Sequence, residues 1–299
     1  MTEKHTGPNG AVVHIAAGQY SAALASSGAM LGHVRLDGRD LVVPVDLEAA
    51  LPVAYQGKTL VPWPNRITGA RYVYDGTAYE VPINEHETGA ALHGLACWED
   101  WRIAECDESA VTFSLNILPS YGYPFSLHVT STYSLDAESG LEARVTATNT
   151  GTTTAPYGAS SHPYLTCGGV IDDCLLTLPA GKVMQVNDHL APDRLEDVSA
   201  AGVDFRSGRM VGGQFVDNAF TDLPGGSWDV RLERPGDCAV VMTSGAPWVQ
   251  FFSGDHLGRA GAAIEPMTCA PDAFNSGDGL IALAPGETHS FEWALRGEL

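Results

Sequence analysis

Basic residues are scarce in this chain. Its 299 residues include 16 lysines and arginines against 36 aspartates and glutamates, which gives a formal net charge of −20 at pH 7. A surface of that sign repels nucleic acid and anionic lipid, because neither offers a counter-charge. It also disfavours a substrate with several phosphates, whereas a neutral ligand is unaffected. We therefore expect no nucleic-acid partner and no membrane partner.

Long apolar runs are also missing. No stretch approaches the roughly 20 residues that a membrane helix needs, and the first ten residues, MTEKHTGPNG, lack the apolar segment of a signal peptide. The six cysteines show no CxxC spacing, so we interpret them as reduced and mostly buried thiols. These observations predict a cytoplasmic location.

Several well-known catalytic signatures do not occur. The chain has no GxGxxG after a strand, no GxxxxGK[ST], no GxSxG and no HExxH, which disfavours nucleotide-dependent enzymes, nucleophile-elbow hydrolases and zincin proteases. His93 and Cys97 lie four positions apart, but no second pair of ligands accompanies them. We therefore expect no metal and no cofactor.

The chain is rich in the residue alternation that is typical of β-strands. Alternating apolar and polar residues predict strands at 111–117, 127–135, 141–148, 175–178, 239–243, 248–252 and 290–295. Asp75-Gly76 lies between two short alternating runs and predicts a hairpin with a type I′ turn. Helical pattern is thin, with at most a turn or two at 193–201. The sequence predicts one all-β domain over residues 1–299, folded as a large antiparallel β-sandwich with few short helices.

Two patches in the first third of the chain carry polar residues in apolar surroundings. In Trp63-Pro-Asn-Arg-Ile67, Asn65 and Arg66 either form a turn or present donors to ligand hydroxyl groups. In Ala91-Leu-His-Gly94, His93 lies on a tight bend where backbone can approach a ligand. A buried histidine bonded to backbone would have the same pattern.

Two later patches point more directly to proton transfer. In Ser161-His-Pro-Tyr-Leu165, the proline forces His162 out of helical conformation and gives its imidazole a defined direction. In Ala262-Ala-Ile-Glu-Pro, Glu265 follows a small apolar run and is predicted at the buried end of a strand. Burial there raises the pKa of a carboxyl group toward the range of a general base.

Taken in order, these patches resemble the aldose 1-epimerase (galactose mutarotase) family from about residue 16 to residue 296. The markers are Pro-Asn-Arg-Ile, the Asp-Gly hairpin with a following Asn84, Leu-His-Gly, His-Pro-Tyr, Asp-x-x-Phe at 217–220, and Glu-Pro-Met-Thr…Pro-Asp-Ala-Phe-Asn. The family folds as one large antiparallel β-sandwich, as the strand pattern predicts independently.

The resemblance also implies roles for individual residues. Glu265 matches the general base and His162 the general acid. The residues that contact sugar oxygens in the family correspond here to Arg66, His93, Asp217 and, more loosely, Asn65. The implied reaction interconverts the α and β anomers of a free aldose such as galactose or glucose. It needs two groups on opposite sides of the ring, Glu265 to take the O1 proton and His162, as imidazolium, to protonate the ring oxygen.

Three other functions compete with this interpretation. A hexose-6-phosphate mutarotase would share fold and catalytic pair but needs a basic cluster for the phosphate. A glycoside hydrolase would use two carboxylates, which Glu265 and Asp217 could supply. A carbohydrate-binding protein without activity would have no need for both Glu265 and His162. We expect an isomerase that acts on a monosaccharide.

Overall fold

The computed structural model describes residues 7–299. Within them, nearly all regular structure is β-strand, and the helices are short. They comprise three 3₁₀ turns, Thr68–Ala70, Ile171–Asp173 and Asp255–Leu257, and one α-helical turn, Ala273–Ser276. No helix within this part of the chain is long and apolar enough to cross a membrane. The predicted all-β class is confirmed.

The largest sheet has nine strands and is antiparallel throughout. In spatial order its strands are Arg102–Cys106, Ala110–Ile117, Leu127–Asp136, Gly140–Asn149, Thr288–Glu298, Cys238–Ser244, Trp228–Arg234, Leu175–Thr177 and Arg209–Met210. Burial alternates along Leu127–Asp136 and Gly140–Asn149, as expected for strands with one face on the core. The predicted strands at 111–117, 127–135, 141–148, 175–178, 239–243 and 290–295 all fall in this sheet.

A second sheet has eight strands, two of which are buried along their whole length. Its strands are, in order, Pro192–Asp197, Lys182–Val186, Asp217–Thr221, Trp248–Phe252, Ala262–Met267, Ser160–Ser161 and Thr59–Leu60, with Tyr164–Leu165 also paired to Ala262–Met267. Every residue of Trp248–Phe252 and Ala262–Met267 is buried. A polar side chain on these two strands is therefore held away from solvent.

Smaller sheets complete the architecture. One has four strands, Val12–Ala17, Tyr20–Ala25, Met30–Leu36 and Arg39–Asp40. Three have two strands each: Ala155–Tyr157 with Ile281–Leu283, Arg66–Ile67 with Ala91–Leu92, and Arg71–Tyr74 with Thr77–Glu80. One hydrophobic cluster draws residues from all parts of the chain between Ile15 and Leu295.

Two local predictions have opposite outcomes. The Asp75-Gly76 hairpin is confirmed, since both residues have positive φ, 48° and 73°, as a type I′ turn requires. The predicted helical turns at 193–201 are wrong over 193–197, because Pro192–Asp197 is a strand paired with Lys182–Val186; one turn follows, in which the Ala201 N–H donates to the Asp197 carbonyl at 3.0 Å. That pairing is with a distant segment of backbone, which a local pattern does not reveal. All six cysteines are free, and four of them are buried.

Candidate active site

The six residues predicted for a site all line one cavity of about 460 Å³. They come from three regions of the fold: the Asn65-Arg66 and His93 segments, the segment of His162, and strands Asp217–Thr221 and Ala262–Met267 of the eight-stranded sheet. The full lining is Val53, Ala54, Tyr55, Asn65, Arg66, Asn84, Glu85, Leu92, His93, His162, Tyr164, Asp217, Gln250, Phe252, His256 and Glu265. The structure thus brings together residues up to 200 positions apart in sequence.

Glu265 lies in the middle of strand Ala262–Met267, opposite Gln250 on the neighbouring strand. Its side chain is buried, and Oε2 has no hydrogen-bond partner within the described residues. Burial and the nearby charge of Asp217 raise its pKa well above the usual range, and Arg66 opposes this. The sequence-based expectation of a buried, perturbed carboxyl group agrees with this environment.

His162 contacts Glu265 directly, with Nε2 3.4 Å from Oε1. The backbone of His162 is fixed on both sides, because its N–H donates to the Lys58 carbonyl at 3.1 Å and its carbonyl accepts from the Gly57 N–H at 2.8 Å. The imidazole stacks on Tyr164 with 5.1 Å between ring centroids. Burial lowers the pKa of His162 to about 3.

The contact differs from the predicted arrangement of two groups on opposite sides of a sugar ring. Ser160–Ser161 and Tyr164–Leu165 both pair with strand Ala262–Met267. His162 lies in the short segment between these two strands, so it comes from the same wall of the cavity as Glu265. Burial disfavours the charged form of each group, so a proton shared by the two lies on Glu265 rather than on His162. Moving that proton across the contact gives a carboxylate and an imidazolium.

His93 lies beside His162 on a strained bend. Its φ is 63°, in the left-handed region that residues other than glycine rarely adopt, and its N–H donates to the carbonyl of Asn65 at 2.9 Å. The following Gly94 is required, since a Cβ there would lie 2.1 Å from the Val61 carbonyl oxygen. Burial, with the charges of His162 and Arg66, lowers the pKa of His93 well below its usual range. Backbone strain of this kind clusters at functional sites.

Arg66 forms a bidentate ion pair with Glu85. Its Nε and Nη2 donate to the two Glu85 carboxylate oxygens at 2.7 and 2.8 Å. Burial raises the pKa of Glu85, but the hydrogen bonds from Arg66 and Thr88 outweigh it and the net shift is downward. Arg66 therefore enters the cavity with its charge largely balanced by a carboxylate.

Asp217 and Asn65 are joined by a residue that the sequence patterns did not single out, Gln250. The Gln250 amide donates from Nε2 to Asp217 Oδ1 at 2.7 Å and accepts at Oε1 from Asn65 Nδ2 at 3.4 Å. Asn65 Oδ1 in turn accepts the backbone N–H of Arg66 at 2.9 Å. Burial raises the pKa of Asp217, opposed by Arg66 and Gln250. These hydrogen bonds connect polar side chains from strands Asp217–Thr221 and Trp248–Phe252 with the start of strand Arg66–Ile67.

Gln250, Glu85 and Tyr55 are among the cavity residues that the sequence patterns did not predict. The signal for Gln250 was present, because a glutamine interrupts the apolar run Trp-Val-Gln-Phe-Phe at 248–252. Glu85 follows the marker Asn84 directly. Tyr55 lies in an irregular segment with positive φ of 58° and contacts His93 edge to face, 4.7 Å between ring centroids. No pattern in the sequence indicates it.

Metal-binding capacity is concentrated in three of these side chains. One potential ligand atom from each of His93, His162 and Glu265 lies within 4.8 Å of the others, and all three residues are buried. From the sequence we expected no metal site and noted only the spacing of His93 and Cys97, without further ligands. The contact between the carboxyl group of Glu265 and the imidazole of His162 is also an arrangement that can transfer protons.

The chain is similar to known proteins over nearly its whole length. The family described as Aldose 1-epimerase matches residues 11–296. The uncharacterized protein YihR of Escherichia coli (strain K12) is 40% identical over 295 residues, which cover 97% of this chain and 94% of YihR. The aldose 1-epimerase of the same organism is 25% identical over 69% of this chain and 65% of its own length.

Solved structures show the same fold. The GalM/aldose epimerase homologue from C. elegans superposes with a TM-score of 0.85 at 22% identity and covers 96% of this chain and 98% of its own. Galactose 1-epimerase from Lactobacillus acidophilus NCFM gives a TM-score of 0.81 at 19% identity, with 94% and 91% covered. The predicted resemblance is confirmed, and the chain belongs to the aldose 1-epimerase family.

Proposed function

We propose that this protein is an aldose 1-epimerase, an isomerase that interconverts the α and β anomers of a free aldose such as galactose or glucose. The observation that carries the proposal is the contact of Glu265 Oε1 with His162 Nε2 at 3.4 Å on the wall of a polar cavity. A buried carboxyl group and an imidazole that share one proton are the groups this reaction needs, since one proton must leave O1 while another reaches the ring oxygen.

The chemistry follows from the position of the pair. O1 and the ring oxygen are both bonded to C1, so two groups on one wall can reach both atoms. Glu265, as carboxylate, takes the O1 proton, and His162 gives a proton to the ring oxygen as the bond from C1 to that oxygen breaks. The aldehyde forms, C1 rotates about the C1–C2 bond, and the reverse transfers close the ring on the other face.

Recognition of the sugar is assigned to the residues around the pair. Arg66, His93 and Asn65 offer donors, and Asp217 offers an acceptor held by Gln250. Alternating donors and acceptors suit the hydroxyl groups of a monosaccharide. The proposal includes a cytoplasmic location.

The experiment that tests the proposal is exchange NMR on galactose and glucose at anomeric equilibrium, with polarimetry on freshly dissolved α anomers. Faster anomer exchange without cleavage is expected. Release of an aglycone from a glycoside would favour a hydrolase based on Glu265 and Asp217. Sugar binding without faster exchange would favour a binding protein.

Truncation of a recognition residue should weaken binding rather than chemistry. We expect Asp217→Ala to raise KM by roughly tenfold or more while kcat stays within a few-fold, because the carboxylate is assigned to hydroxyl groups that do not react. Michaelis parameters from exchange NMR measure this. Arg66→Ala should behave in the same way, and a loss confined to kcat in either variant would contradict the assignment.

Phosphate esters should be poor substrates. Arg66 is engaged by Glu85 through two hydrogen bonds, and Asp217 and Glu265 line the same cavity, so a dianion there meets more carboxyl groups than free cations. We expect kcat/KM for glucose or galactose to exceed that for glucose 6-phosphate by at least about tenfold, or roughly 1.4 kcal/mol. The measurement is a side-by-side comparison at physiological salt. A better rate with the ester would favour the hexose-6-phosphate mutarotase.

Chelators should leave activity unchanged, because both proton transfers in the proposed mechanism use side chains. Dialysis against EDTA, followed by the exchange assay, measures this. Loss of activity that zinc or calcium restores would contradict the mechanism.

A further inference from the structure

Three buried side chains of the cavity are close enough together to bind a metal ion. We propose that His93, His162 and Glu265 together bind one Zn²⁺ ion, which blocks the cavity against the sugar. The proposal that these residues bind zinc is independent of the proposed function, whereas the inhibition rests on it.

Geometry is the first argument. Two donors on one tetrahedral zinc ion, each about 2.0–2.2 Å from it, lie roughly 3.3–3.6 Å apart. His162 Nε2 and Glu265 Oε1 are 3.4 Å apart, so this pair already has the required separation. A ligand atom of His93 lies within 4.8 Å of both, and a small side-chain movement completes a three-residue set of two histidines and a glutamate.

The second argument is that a ligand atom is free within the site. Glu265 Oε2, the second oxygen of the carboxyl group in contact with His162, is buried and has no hydrogen-bond partner within residues 7–299. An ion bound at this carboxylate replaces the contact between Glu265 Oε1 and His162 Nε2 and can give Oε2 a partner. Each of the three residues is at most 5% exposed, so the proposed ligands are shielded from bulk solvent.

Donor type and charge select the metal. Imidazole nitrogen with carboxylate oxygen suits zinc, while magnesium and calcium prefer sets made of oxygen alone. The cavity also favours a cation, because Arg66 is balanced by Glu85 and two further carboxyl groups, Asp217 and Glu265, line it. The remaining coordination position faces the cavity, where water or a sugar hydroxyl group can enter.

Bound zinc must stop the proposed reaction. The ion takes a lone pair from His162 and from Glu265, the two groups that transfer protons, and the proton that they share is released to solvent. It also occupies the place where C1 and its oxygens must lie. Inhibition is therefore competitive with the aldose and reversed by EDTA, which is consistent with a chelator having no effect on zinc-free enzyme.

Zinc binding is tested without turnover, by calorimetry with Zn²⁺ and by visible spectroscopy with Co²⁺, which gives intense bands when tetrahedral. The background is Cys106→Ser, because Cys106 is an exposed thiol. We expect one equivalent of Zn²⁺ and no comparable binding of Mg²⁺. Glu265→Gln, His162→Asn and His93→Ala should each weaken binding by at least about 10–100-fold. The matched control is His128→Gln, a histidine bonded to Asn116 in the nine-stranded sheet, which should bind zinc as the background does.

The outcomes separate the zinc site from the proposed function. Equal zinc affinity in the three cavity variants would mean an ion on the surface and overturn the proposal, as would octahedral cobalt spectra. Tetrahedral binding lost in those variants supports the site even if no aldose is epimerised. If epimerisation is found, galactose should raise the apparent Kd for zinc, and zinc inhibition that is not competitive would overturn the blocking role.

Discussion

Glu265→Gln is expected to abolish turnover while the protein stays folded and still binds sugar. Glutamine keeps the shape of the side chain, but its amide cannot accept the O1 proton. Glu265 is buried and touches His162 at 3.4 Å, so the substitution removes the carboxyl group from its contact with the proposed acid. We expect kcat to fall by about 10²–10⁴-fold or more, the usual contribution of a general base.

Exchange NMR measures the loss of turnover, and calorimetric titration with galactose measures binding separately. The matched control is Glu292→Gln, since Glu292 pairs with Arg144 in the nine-stranded sheet and both side chains are largely exposed. An exposed ion pair contributes little, so this variant should match the parent protein in both activity and thermal stability. Activity of Glu265→Gln within a few-fold of the parent would remove Glu265 from the mechanism.

Strand positions in this protein are predictable from the sequence because one face of each strand meets the core. Leu127–Asp136 and Gly140–Asn149 alternate buried and less buried residues along their whole length, and the period-2 pattern located both within two residues. The segment Pro192–Asp197 lacks buried residues altogether. Its pairing with Lys182–Val186 depends on backbone hydrogen bonds rather than on side-chain pattern, so the helical turn predicted to begin at 193 was wrong for these residues.

Site residues are predictable where a polar side chain interrupts apolar surroundings. Glu265 after Ala-Ala-Ile and His162 before proline are of this kind, and both line the cavity. Gln250 had the same signal, yet a buried glutamine is more easily taken for a residue satisfied by its own backbone. Only the structure shows that it joins Asp217 to Asn65.

Mutual geometry is what the sequence could not supply. The distance from His162 to Glu265 depends on two short strands, Ser160–Ser161 and Tyr164–Leu165, both pairing with Ala262–Met267. The paired segments lie about 100 residues apart in sequence, and their pairing follows from the order of strands in the eight-stranded sheet. The sequence therefore indicated two proton-transfer groups but predicted them on opposite sides of the ring rather than in contact.

His162→Asn is expected to lower kcat far more than it changes the affinity for sugar. Asparagine can still donate a hydrogen bond, but its amide does not release a proton to the ring oxygen. The change is local, because the backbone at position 162 is held by hydrogen bonds to residues 57 and 58 that do not involve the side chain. We expect kcat to fall by roughly 10²-fold or more with KM within a few-fold, the signature of an interaction made only in the transition state.

The comparison that decides the role is His93→Asn, measured in parallel. Both histidines are buried in the same cavity, with 5.2 Å between ring centroids, so nonspecific effects of losing an imidazole should be alike. His93 is assigned to contact sugar oxygens, and its replacement should raise KM more than it lowers kcat. If the two variants show the opposite pattern, with kcat lost at position 93 and KM raised at position 162, then His93 is the acid. Its position beside the Glu265–His162 contact makes that exchange of roles sterically feasible, and the pair of KM and kcat values separates the two assignments.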